Sequence, residues 1–246
     1  SIRSLMNKYS FIDPLDIDDV ILGCANQSGE DNRNIARMAS LLAGLHYKVA
    51  GETINRLCAS GMSAIIHAHR AIQTNDGHLF ISGGVEGMTR SPWIISKTSS
   101  AFGRDAKMYD STFGWRFINP SLEQQYGCDS MGETAENLAV KYNISRFDQD
   151  SFALWSQEKT KNAFLAKRFS KEIAPITIPF GKNNSVQFEK DEFPKPDSTL
   201  EKLSSLRPAF RINGTVTAGN SSGLNDGSAA LLIGSSTIID KYQFKP

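Results

Sequence analysis

The chain has 246 residues and a mass of 27.1 kDa, with 27 Lys+Arg against 26 Asp+Glu, so a net charge of +1 excludes a phosphate-neutralising surface and no nucleic-acid partner is expected. The longest apolar run, Ala229–Ile233, is strand-sized and far short of the ~20 residues a membrane helix needs, so no membrane association is expected. Three cysteines without disulfide density or CxxC spacing, and a polar opening stretch (SIRSLMNKYS), point to a reducing, cytoplasmic location.

Both ends of the chain read as cuts: it opens on Ser1 with a helical pattern and no strand before it, and stops at Pro246 soon after a strand. Asp18–Gly23 (DDVILG) is an apolar run bounded by acids and glycine, which predicts a buried strand. Asn32–Leu45 carries Ile35, Met38, Ala39, Leu42 and Leu45 at helical spacing, with Gly44 marking its end. Tyr47–Ile54 predicts a second strand. Ser60–Thr74 predicts a helix with Ala64, Ile65, Ala68 and Ile72 on one face. His78–Gly83 predicts a third strand that ends in a Gly83-Gly84 turn. This β-α-β-α-β alternation over residues 18–90 argues for a parallel sheet covered on both faces.

The composition changes after about Ser91. Residues 91–130 are rich in Ser, Gly, Phe, Tyr and Trp with no period. Thr134–Tyr142 predicts a short helix. Ser145, with Asp148 three positions on, reads as the N-cap of a helix over Asp150–Phe169. Residues 171–210 carry scattered prolines and charges. Residues 91–210 thus read as an excursion inserted into the α/β unit, followed by a Gly/Ser/Asn loop and the strand Ser228–Gly234.

Cys58, in Asn55-Arg-Leu-Cys-Ala-Ser-Gly61, sits where a strand ends and an apolar helix begins. A helix N-terminus stabilises a thiolate, and the small residues Ala59, Ser60, Gly61, Ser63 and Ala64 leave room for a reacting carbonyl. The competing reading is a small buried core residue, the usual fate of a free cysteine. Cys24 and Cys128 lack this placement and are read as structural. Gly214–Ala230 offers exposed backbone N–H groups that a ligand could approach, or it is a plain connection into the next strand. It matches neither the Walker spacing nor the dinucleotide fingerprint. Glu86, in Gly83-Gly-Val-Glu-Gly-Met88, could be an acid or base but is read as a structural pairing group. His46, His67, His69 and His78 show no metal spacing, and no bound metal is expected.

Four segments, in order, resemble the thiolase family: NRLCASGMSA, GGVEGMTRSP, SMGETAENLA and GTVTAGNSSGLNDGSAALL. The likeness runs from about residue 5 to 240. AFGRDAKMYDSTFGWRFIN (101–119) is similar to the 3-oxoadipyl-CoA thiolases of aromatic-compound degradation by the β-ketoadipate route. The resemblance implies an α/β fold: a layered mixed sheet flanked by helices, the N-terminal half of an α-β-α-β-α sandwich, with an inserted α+β loop domain. Residues 1–90 would be the core without its first strand. Residues 91–210 would be the loop domain that covers CoA, and 211–246 the return to the core, with the C-terminal thiolase domain missing.

The implied chemistry is acyl transfer through Cys58, with coenzyme A as co-substrate and no permanently bound cofactor. Leu122, Met131, Phe210 and Ala218 would line the pantetheine, Ser222 would contact it, and Lys195 would stand near the CoA nucleotide. Lys195 replaces a more usual arginine and loses its bidentate fork. Ser130 replaces a histidine found in some acetoacetyl-CoA enzymes. The family's Gly-His-Pro histidine and second Cys-x-Gly cysteine have no counterpart in these residues, which implies little or no turnover by the chain alone. Full-length relatives imply a homodimer or homotetramer. The alternatives are an acetoacetyl-CoA thiolase, a carrier-protein condensing enzyme of the same broad architecture, and a non-catalytic CoA-binding remnant.

Overall fold

A computed structural model describes residues 1–182 and 184–244. The chain divides into two compact units, Ser1–Phe113 with Asn225–Pro246, and Gly114–Leu224. The boundaries therefore fall at 113/114 and 224/225, later than the composition change at Ser91 and the return at 211. A short hairpin accounts for the shift: β4 (Trp93–Ile95) pairs antiparallel with β5 (Met108–Asp110) and belongs to the first unit.

The first unit is built on a four-stranded sheet. Its strands are β1 (Asp19–Gly23), β2 (Ala50–Ile54), β3 (Leu79–Glu86) and β8 (Gly227–Gly234), in the order β2-β1-β3-β8. β1 runs parallel to β2 and β3, whereas β8 runs antiparallel to β3. The sheet is thus mixed. Alternation decides which side chains face which layer. Val20, Leu22, Leu79 and Ile81 bury against Ile2 of α1 (Ile2–Lys8), Ala36 of α2 (Ile35–Ala43) and Ile238 of α8 (Ser236–Tyr242). Ile21 and Phe80 bury on the opposite face against Ala64 and Ala68 of α3 (Ser60–Gln73). Each of the valine, leucine, isoleucine and phenylalanine side chains contributes about 1.5–3 kcal/mol when fully buried.

Two sequence expectations are corrected here. Residues 47–49 are not strand. The Arg37 guanidinium donates to the carbonyls of Tyr47 and Val49, and the Val49 N–H closes a turn on the His46 carbonyl. Gly83-Gly84 is not a turn either, since β3 runs on to Glu86. A Cβ on Gly83 would lie 2.0 Å from the Ala229 carbonyl oxygen, so glycine there admits the neighbouring strand.

The second unit holds α4 (Pro120–Tyr126), α5 (Met131–Tyr142), α6 (Arg146–Leu165), the hairpin β6 (Ile176–Phe180) with β7 (Asn184–Phe188), and α7 (Leu200–Ser204). Ser130 caps α5: its hydroxyl accepts the Glu133 N–H at 3.3 Å, which starts the helix three residues before Thr134. The capping box forms as expected, with the Ser145 hydroxyl accepting the Asp148 N–H and the Asp148 carboxylate accepting the Ser145 N–H. α6 starts directly behind that cap, at Arg146 rather than Asp150. It ends at Leu165, just before Lys167 adopts a left-handed φ of 53°.

Candidate active site

Between the end of β2 and the start of α3 the chain makes a tight, well-bonded turn. The Asn55 side chain accepts the Leu57 N–H at 3.0 Å and donates to the Ala25 carbonyl at 2.8 Å. The Ser60 hydroxyl accepts the Arg56 N–H at 2.8 Å and donates to the Leu57 carbonyl at 2.6 Å. Leu57 is held at φ 49°, a conformation that non-glycine residues adopt only when their surroundings enforce it. Cys58 follows it and is exposed. It stands at the carboxyl end of the parallel strands, where open α/β sheets place their ligands. α3 has Ala59 at its N-cap and no side-chain cap; its first N–H, from Ser60, donates to the Leu57 carbonyl at 3.0 Å, and the positive end of the helix dipole lies beside the turn that carries Cys58.

The helix start lies unusually close to the sheet. A Cβ on Gly23 would lie 2.3 Å from the Ser60 carbonyl carbon, and one on Gly84 would lie 3.6 Å from Gly61 Cα. Ser60, Ser63 and Ala64 are buried in this contact. The small-residue pattern read around Cys58 therefore packs the helix against the sheet, while the thiol itself stays in solvent.

The other two cysteines have different environments. Burial, with Glu86 nearby, pushes the Cys24 thiol up to about 12. Partial burial and the acids Glu123 and Asp129 raise the Cys128 thiol. Cys24 belongs to a cluster that sequence reading missed: its sulfur lies 3.7 Å from Asp31 Oδ2 and 3.9 Å from Glu86 Oε1. Residues seven and 62 positions apart give no spacing signal. Glu86 also accepts the N–H groups of Ala25 and Asn26 at 2.9 and 3.0 Å, so its carboxylate fixes the turn after β1. Asp226, ahead of β8, accepts the N–H groups of Met88 and Thr89 at 2.7 and 3.0 Å. Of the histidines, His67 lies 3.7 Å from Glu52 across α3 and β2, and His78 shares a hydrogen bond with Ser235.

The six residues assigned to CoA all lie in the second unit. Phe210 covers the backbone of Gly132, beside Met131: a Cβ on Gly132 would lie 2.2 Å from the ring. Met131 is 76% exposed and Phe210 39%. Ala218 and Ser222 are exposed positions of one loop, whereas Val216 and Thr217 between its anchors are buried. Leu122 comes from α4. Lys195 precedes α7, donates its N–H to Gln157 Oε1 at 2.8 Å, and rests its ammonium on the Glu192 carbonyl.

Comparison with known proteins adds the family. The model described as "Thiolase, N-terminal domain" matches residues 1–237. The chain belongs to the thiolase family. Among curated relatives, the 3-oxoadipyl-CoA/3-oxo-5,6-dehydrosuberyl-CoA thiolase of Escherichia coli (strain K12) is 54% identical over 234 residues, covering 95% of this chain and 58% of that protein. A beta-ketoadipyl-CoA thiolase of Pseudomonas aeruginosa is 51% identical over 245 residues, covering 100% of this chain and 61% of its own length. This thiolase chain therefore spans about three-fifths of the length of such relatives. Solved thiolase structures superpose over its whole length. Acetyl-CoA acetyltransferase of Bacillus anthracis gives a TM-score of 0.87 at 40% identity over 60% of that chain. Human mitochondrial 3-ketoacyl-CoA thiolase in complex with CoA gives 0.85 at 35% identity, also over 60% of that chain. The α/β thiolase fold is thereby shown.

Proposed function

We propose that this chain carries the nucleophile-bearing part of a thiolase that cleaves a 3-oxoacyl-CoA, with 3-oxoadipyl-CoA as substrate and succinyl-CoA plus acetyl-CoA as products. The observation that carries the reading is Cys58, an exposed thiol on a rigid turn at an uncapped helix N-terminus. Relatives named for 3-oxoadipyl-CoA or beta-ketoadipyl-CoA are 54% and 51% identical, against 40% for the acetyltransferase structure, which favours the dicarboxylic substrate over acetoacetyl-CoA.

In this reading the Cys58 sulfur attacks the C3 keto carbon. The C2–C3 bond breaks, its electron pair passes to the acetyl-CoA enolate, and one proton, matching the one the Cys58 thiol gave up, converts the enolate to acetyl-CoA. The acyl group stays on Cys58 as a thioester. The CoA thiol then attacks that thioester, takes the acyl group and returns the proton to Cys58. The loop bearing Ala218 and Ser222, with Leu122, Met131 and Phe210, holds the pantetheine, and Lys195 lies towards the nucleotide. CoA is a co-substrate, the location is the cytoplasm, and the assembled enzyme is a dimer or a dimer of dimers.

The test is the reverse of the second step, which involves the nucleophile and a bound CoA ester and forms no enolate to be protonated. Incubation with succinyl-CoA should add one succinyl group to the chain, on the peptide containing Cys58, with release of CoA. The Cys58→Ser variant should stay unmodified under the same conditions. Intact-mass and peptide mass spectrometry read both. Absence of the adduct, or its appearance on Cys24 or Cys128, refutes the proposal.

A further inference from the structure

Two buried carboxylates of the second unit have no part in the acyl transfer just described. Glu136 on α5 is 2% exposed. Its Oε1 accepts the N–H groups of Thr215 and Val216, both at 2.8 Å, and its Oε2 accepts the Thr215 hydroxyl at 3.1 Å. Gly214 is the residue that lets the carboxylate in, because a Cβ there would lie 2.2 Å from Glu136 Oε1. Asp150 on α6 is 1% exposed. It accepts the Asn220 side-chain N–H at 2.9 Å and the Arg146 Nε–H at 2.7 Å. Asn220 in turn accepts the Thr217 N–H at 2.7 Å. The two acids thus grip the same loop at residues 215–216 and at 220. Between and beyond those grips, Ala218 and Ser222 face solvent.

Burying a carboxylate costs several kcal/mol unless its oxygens are well bonded. Both acids meet that condition, and most of their donors belong to the loop. The acids are not the loop's sole anchors: the Gln149 side chain donates to the Thr215 hydroxyl at 2.9 Å, the Ala209 N–H to the Val216 carbonyl at 2.9 Å, and the Ser221 hydroxyl to the Thr217 carbonyl at 2.7 Å. Glu136 and Asp150 are, however, the charged acceptors among these contacts, and glycines 214 and 219 weaken local backbone preference. From this we infer that Glu136 and Asp150 are positioning residues, which set the 214–222 backbone in the conformation that CoA binds. The inference rests on the reading that this loop carries CoA.

Affinity for CoA separates a positioning role from a purely structural one. Calorimetry with CoA on the 246-residue chain gives the parent Kd. Glu136→Asp keeps the charge but withdraws it by one methylene, so the contacts to Thr215 and Val216 cannot all persist. Its Kd should rise about tenfold or more, measured below its melting temperature. Glu136→Gln keeps the reach and one acceptor oxygen, and should raise Kd by a smaller factor of about three. Asp150→Asn should raise Kd as well, through Asn220. Amide exchange should quicken across 214–222 and not across α6. Should Glu136→Asp fail to fold, Glu136→Gln and Asp150→Asn decide the matter alone. Folded variants that bind CoA within about twofold of the parent overturn the inference while leaving the CoA site standing. A parent chain that binds no CoA overturns the reading of the loop itself, and the inference with it.

Discussion

Gly23→Ala tests how closely Cys58 depends on the contact between β1 and α3. The new Cβ would lie 2.3 Å from the Ser60 carbonyl carbon, 2.4 Å from Gly61 N and 2.6 Å from the Ser60 carbonyl oxygen. All three are backbone atoms, so no rotamer change relieves them. Reaching ordinary contact requires β1 and the first turn of α3 to separate by roughly 1 Å, which places the cost at the upper end of core overpacking, about 3 kcal/mol. In a chain of this size that lowers the melting temperature by about 6–12 °C. Cys58 stands two residues before α3 and moves with it, and a misplacement of about 1 Å can cost a hundredfold in a positioned reaction. The matched control is Gly61→Ala, whose Cβ would meet only the Gly83 carbonyl oxygen at 3.8 Å. Thermal melts followed by circular dichroism, and the rate of succinyl transfer to Cys58, read both variants. The control should behave like the parent. If Gly23→Ala melts within about 2 °C of the parent and acylates at the parent rate, the reasoning fails.

Other groups make separate predictions. Burial, with Glu52 and Asp18 adding repulsion, raises the Asp19 carboxyl, and its Oδ1 has no hydrogen-bond partner among the described residues. The folded state then holds the proton longer than the unfolded chain does, so stability falls as pH rises above the ordinary carboxylate value. Asp19→Asn should therefore melt higher than the parent at pH 7 and no higher near pH 3; equal gains at both pH values would contradict this. Asp16 behaves oppositely. Hydrogen bonds from Lys241 and Tyr242 lower its carboxyl, so the stability they add is present above the unfolded value and is lost as pH falls through the folded one. Asp16→Asn should lower the melting temperature at pH 7 and leave it unchanged at low pH. Finally, iodoacetamide at neutral pH should modify Cys58 and spare Cys24, which is buried with its thiol at about 12. Peptide mass spectrometry showing Cys24 modified as fast as Cys58 would refute the assignment of roles.

The β-α-β-α-β core was legible because β1 and the start of β3 are short apolar runs and the helices carry clear periodicity, whereas β2, Ala-Gly-Glu-Thr-Ile, has no such run and its start was read three residues early. The capping box at Ser145 was legible for a similar reason: all its determinants lie within four residues. The role of Gly83 and Gly84 was not, because a glycine pair reads as a turn until the approaching strand is known. That strand lies about 145 positions later. The loop around Ala218 could be recognised from its glycines and short polar residues. Its anchors could not, since Glu136 and Asp150 are some 80 and 70 positions away and look like ordinary helix-surface acids. The cluster of Cys24, Asp31 and Glu86 was hidden for the same reason. Position along a strand or helix is local information, whereas the company a buried acid keeps is decided by tertiary packing.

The pairing of β3 with β8 also has a consequence for synthesis. Residues up to Glu86 can form the three parallel strands as soon as they leave the ribosome, but their neighbour Gly227–Gly234 comes only after the whole second unit. At about 5–20 residues per second, β3 waits on the order of 10 s with an unpaired edge. That edge bears Phe80 and Ile81 at its start and two glycines further on, and an open apolar edge invites pairing with another nascent chain. The vulnerable period of this molecule is thus set by the length of the insertion that precedes β8, and the second unit, continuous in sequence, is free to fold within it.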